Sequence, residues 1–68
     1  MTLSRSRLES VIARNYAMLG LPPEGAARAA AEAVDAMVER GEVSQSGDEL
    51  LASPETEGII RDMKAQEN

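Results

Sequence analysis

The chain has 68 residues, a net charge of −5 at pH 7, and neither cysteine nor histidine. That inventory excludes disulfides, thiol nucleophiles and the usual zinc and iron ligand sets. A chain this short makes one domain whose single core supplies only about 3–5 kcal/mol. Tyr16 is the sole aromatic residue, so the core has to come from Leu, Ile, Val, Met and Ala. Strands favour aromatic and β-branched residues, and the inventory therefore predicts an all-α fold. The expected architecture is a small bundle of three to four helices spanning residues 1–68. Two longer helices form an antiparallel hairpin, a short helix and a C-terminal helix follow, and the ends fray near 1–3 and 65–68.

The first helix is predicted to start at Ser4 or Ser6, with Ser6 to Glu9 fitting a capping box, and to run to Leu19. Gly20 suits a left-handed position just past the helix, and Pro22-Pro23 forbid continuation. Leu8, Val11, Ile12, Met18 and Leu19 share one apolar face, with Asn15 near its middle and Tyr16 at its edge. The second helix opens after the two prolines, with Glu24 in its first turn, and closes at Gly41. Between Gly25 and Met37 it holds seven alanines in thirteen residues (GAARAAAEAVDAM). Its charges lie in one narrow stripe opposite Ala26, Ala27, Ala30, Ala33, Val34, Met37 and Val38. Residues 42–47 form a polar connection. Ser46 to Glu49 matches a second capping box, which predicts a two-turn helix over Leu50-Leu51-Ala52. Ser53-Pro54-Glu55 then reads as N-cap, first-turn proline and acidic first turn, and Ile59, Ile60 and Met63 are expected to face inward.

Charge is unevenly placed. Residues 1–28 carry four arginines against two glutamates, a net of +2, while residues 29–68 carry three basic and ten acidic groups, a net of −7. A basic first helix followed by an acidic remainder is a polarity that can align two molecules. No apolar run approaches the roughly 18–20 residues of a membrane span, and no hydrophobic segment follows the charged N-terminus. The expectation is a cytoplasmic protein.

Catalysis is not expected. The usual general base and thiol nucleophile are missing, and the serines fit capping and turn positions. The paired carboxylates Asp48/Glu49 and Glu55/Glu57 stand where helix N-termini favour negative charge. The five glycines are scattered rather than gathered into a phosphate loop, so no cofactor or metal site is predicted. Size, acidity and helicity are similar to those of acyl carrier proteins, but no serine follows an aspartate, so their attachment site is absent. The segment GDELLASPETEGIIRDMK resembles helix-turn-helix regulators through Glu49, Leu50, Ala52, Ser53, Thr56, Ile60 and Arg61. It lacks the usual stretch between the first helix and the serine, and the corresponding recognition helix is net negative. The resemblance implies a DNA-binding regulator, for which Arg5, Arg7 and Arg14 are the possible phosphate contacts.

The leading expectation is a small non-enzymatic interaction module, a homodimer acting as adaptor, regulator or inhibitor. A polar residue within an apolar helix face costs stability unless it is hydrogen-bonded, and such an Asn can set the pairing of two chains. The predicted interface is Leu8, Val11, Ile12, Asn15 and Leu19 of the first helix with Ala30, Ala33, Val34 and Met37 of the second. Its partner is a second copy, another protein, or both.

Overall fold

The computed structural model describes residues 2–66, for Gln66 the backbone alone. The elements in chain order are β1 (Thr2–Ser4), α1 (Arg5–Met18), α2 (Pro23–Glu39), β2 (Val43–Ser46), β3 (Glu49–Ala52) and α3 (Pro54–Gln66). The fold is α+β, which corrects the expected all-α bundle: three helices pack against a three-stranded antiparallel sheet of order β1-β3-β2. Thr2 and Leu3, expected within a frayed end, form β1, and of the opposite end residues 67–68 lie outside the described residues.

The helical hairpin forms for local reasons. Ser4 caps α1, its hydroxyl accepting the Arg7 amide at 3.1 Å, so the capping box from Ser6 to Glu9 does not form. Glu9 instead accepts from Arg5 one turn earlier. At the other end Gly20 has φ +103°, a left-handed value that L side chains rarely adopt. The Gly20 amide donates to Ala17 O and the Leu21 amide to Tyr16 O, the paired bonds of a Schellman motif. The same pair recurs after α2, where the Gly41 amide donates to Val38 O and the Glu42 amide to Met37 O. Pro22 and Pro23 set the extended entry and first turn of α2. The alanines of α2 bring it close to α1, with Ala26 and Ala30 buried against it.

The two-turn helix expected over Leu50-Leu51-Ala52 is replaced by a β-hairpin. Ser46 and Glu49 are cross-strand partners, joined through Gly47-Asp48. Gly47 has φ +62° and among the described residues no non-glycine residue has positive φ, so only the first turn residue has positive φ, as in a type II′ hairpin. Exposure alternates along β3: Leu50 and Ala52 point inward and Glu49 and Leu51 outward. Leu3 stands opposite Leu50 in the β1–β3 ladder and Val43 opposite Ala52 in the β2–β3 ladder, giving the sheet one apolar face. The core joins that face to Leu8, Ile12, Ala30, Val34, Met37 and Ile60.

The hairpin turn also completes the start of α1. The Arg5 amide, an orphan donor of the first turn, donates to Asp48 O at 2.7 Å, and the Ser6 hydroxyl donates to the Asp48 carboxylate at 3.2 Å. Ser53 caps α3, accepting the Thr56 amide and donating to Thr56 Oγ1, which satisfies the buried Thr56 hydroxyl. Ile60 and Thr56 face the core while Ile59, expected to face inward, is 58% exposed. The segment that resembles a helix-turn-helix is thus strand followed by helix, because Glu49 to Ala52 pair in the sheet.

Candidate functional site

Six of the nine predicted interface residues lie in the chain's own interior. Leu8, Val11, Ile12, Ala30, Val34 and Met37 are all buried. Ala33 is half-buried at the core margin. Asn15 is also half-buried, and its Nδ2 donates to Val11 O at 2.9 Å, a bond made within its own helix. Leu19 stands apart at 78% exposure.

The position of Leu19 reflects how far the core reaches. At 100° per residue, Leu8, Ile12, Asn15 and Leu19 lie on one stripe of α1. Burial fades along it, from buried Leu8 and Ile12 through half-buried Asn15 to exposed Leu19, so the last turn of α1 projects past the packed interior. Met18 is 64% exposed in that turn, and Leu21, Pro22 and Pro23 are exposed just beyond it. The corner between α1 and α2 is therefore an apolar tip. Helical periodicity marks Met18 and Leu19 as apolar-face residues, but the period carries no information on where the opposing elements stop.

Two surface grooves flank α1. One lies at the junction of the three helices, where Ile12, Tyr16, Ala33, Met37, Ile59 and Met63 line it, with Arg40 and Glu42 at its rim. Arg40 and Glu42 pair across the end of α2 at 3.1 Å. The other runs between α1 and the start of α2, with Val11, Ala17, Pro23 and Ala26 forming apolar walls and Arg7 and Arg14 beside them. Arg7, Arg14 and Met18 fall on one line of α1 by their seven- and four-residue spacing.

The three arginines of the N-terminal segment divide by role. Arg5 is a tie within the fold: its guanidinium donates to Glu9 at 2.6 Å, Asp35 at 2.6 Å, Gln45 Oε1 at 2.8 Å and Ala31 O at 3.2 Å. The hydrogen bonds to Glu9 and then Asp35 hold it above its ordinary pKa. It joins α1, α2 and β2, and its donors face inward rather than toward a polyanion. Arg7 and Arg14 remain on the exposed side of α1.

Among the described residues no group of three or more acidic side chains is placed to hold a metal ion, and no helix is long and apolar enough to cross a membrane. No protein-family model, curated protein or solved structure matches the chain.

Proposed function

We propose that the protein is a small non-enzymatic interaction module that pairs with a second copy of itself and acts by docking onto another protein as adaptor, regulator or inhibitor. The observation that carries this reading is the apolar tip. Met18, Leu19 and Leu21 are exposed although the core closes without them, and contiguous exposed apolar surface rimmed by polar groups marks an association site. The arginine-bordered groove meets that tip at Pro23, and the acidic C-terminal half of each chain supplies the opposite charge. Pairing also adds burial to a domain too small to bury much alone. The hydroxyls of Ser4, Ser6, Ser10 and Ser53 are engaged with helix ends, a turn and a backbone carbonyl, which supports a non-catalytic role.

Sedimentation equilibrium tests the pairing. The expected mass at micromolar concentration is twice the 7.3 kDa of one chain, and Leu19→Ser, at an exposed site, shifts the equilibrium toward monomer while the helical circular-dichroism signal at low temperature is kept. A single-chain mass at high micromolar concentration overturns the reading.

A further inference from the structure

The groove at the junction of the three helices has two unlike walls. α1 packs against both α2 and α3, while α2 and α3 scarcely touch, so Ile12 and Tyr16 of α1 form the floor. One wall is α2, where Ala36 and Arg40 line the groove four residues apart. The other is α3, where Ile59 lines it and exposed Glu55 stands four residues before. The Ser53 amide donates to Glu42 O, which sets the start of α3 beside the end of α2. Arg40 and Glu55 therefore mark the same end of the groove, and Ala36 and Ile59 each lie about 6 Å of helix rise further in. Thr56 and Ile60 are buried and fix the rotation of α3, which holds Ile59 up on the rim at 58% exposure. The α2 wall is low and ends in a cation; the α3 wall is high and begins with an anion.

We infer that this groove is the contact between two copies of the chain, closed face to face about a two-fold axis that runs along it. The inference rests on the self-association reading and names the surface that carries it. Such an axis keeps each level of the groove and exchanges its walls, so α2 of one copy meets α3 of the other. Ile59 is then seated on Ala36 of the second copy, a protruding side chain over a small one, and Arg40 meets Glu55 of the second copy. Each feature finds its complement at the same level of the same face, so a single surface makes the whole interface and each contact occurs twice. Arg40 is 63% exposed beside Glu42, and its guanidinium has donors enough for a second carboxylate. Burial of Ile59 supplies the affinity, and the Arg40–Glu55 pairs set the register. Tyr16, half-buried on the floor, lies near the axis. Leu19, three residues further along α1, extends the same face to the apolar tip. The arginine-bordered groove, on the opposite flank of α1, stays outside this contact.

Cross-linking tests the contact, since the chain has no cysteine of its own, with solution mass measured alongside by sedimentation. Ala36→Cys and Ile59→Cys proteins mixed in equal amounts are expected to form a disulfide-linked pair under mild oxidation. The link is expected at least about tenfold faster than when either is mixed with a Ser10→Cys protein, because a disulfide requires close Cβ atoms and Ser10 lies in the groove on the other flank. Ile59→Ser, at an exposed position, is expected to weaken dimerisation at least about tenfold with the helical circular-dichroism signal kept, and Glu55→Gln to weaken it about threefold. A wild-type dimer that Ile59→Ser leaves at full strength, or that links the mixed cysteines no faster than the Ser10→Cys control, overturns this contact while self-association stands. A wild-type protein that is monomeric at high micromolar concentration removes the self-association reading itself, and this contact with it.

Discussion

The Arg5 guanidinium lies 2.6 Å from the Asp35 carboxylate, a contact between residues 30 apart in the chain. With Glu9 and Gln45 it makes the first residue of α1 the polar junction of α1, α2 and β2. Arg5→Ala is expected to cost about 1–2 kcal/mol, the scale of several hydrogen bonds whose partners return to water. Asp35 is largely exposed, so its rehydration limits the loss. Arg5→Lys recovers only part of it, because an ammonium on a flexible stem does not reproduce the planar fork that reaches acceptors on three elements. Urea unfolding of the two variants checks the order, and equal stability of wild type and Arg5→Ala would show that the junction contributes nothing.

Leu50 and Leu51 are adjacent, yet Leu50 is fully buried and Leu51 is 59% exposed. Leu50→Ala is expected to cost about 2–5 kcal/mol through lost burial and a residual cavity, which exceeds or nearly equals the stability of a domain this small. Leu51→Ala is expected within about 0.5 kcal/mol of wild type. Thermal unfolding followed by circular dichroism separates them. Similar costs at both positions would contradict the strand alternation.

Ala30 is fully buried where α1 and α2 approach, whereas Ala33 lines the open three-helix groove. Ala30→Leu is expected to destabilise by about 1–3 kcal/mol through overpacking. Ala33→Leu has space to turn into and is expected to cost less than about 1 kcal/mol. Denaturant midpoints measured side by side report the difference, and an Ala30→Leu protein as stable as wild type would mean that the helices do not meet closely there.

The helical hairpin was legible because its signals act over a few residues. Gly20 followed by Pro22-Pro23 ends one helix and starts the next by backbone geometry alone, and Ser53-Pro54 opens α3 in the same way. The apolar stripe through Leu8, Val11 and Ile12 correctly marks a buried face. What periodicity leaves open is whether such a face packs within the chain or between chains, and here Val34 and Met37 of the facing helix complete a core inside one chain. Six predicted interface positions are consumed that way. Apolar surface stays exposed where the core runs out, at Met18 and Leu19.

The sheet was not legible because its decisive contacts are remote. Ser46-Gly47-Asp48-Glu49 satisfies the sequence pattern of a helix cap and equally that of a two-residue hairpin beginning with glycine. A four-residue hairpin has little stability alone, so local chemistry does not choose between them. The choice is made by Leu3, which comes from the opposite end of the chain to pair with Leu50, and by the Arg5 amide, which needs the Asp48 carbonyl that only the hairpin turn presents. By itself the sequence determined the three helices, their ends and the absence of cysteine and histidine chemistry, since each depends on residues near in the chain or on composition. The three-stranded sheet, the use of Arg5 as an internal tie and the exposure of Ile59 were decided by tertiary structure, because each depends on which distant residues compete for the same buried space and the same hydrogen-bond donors.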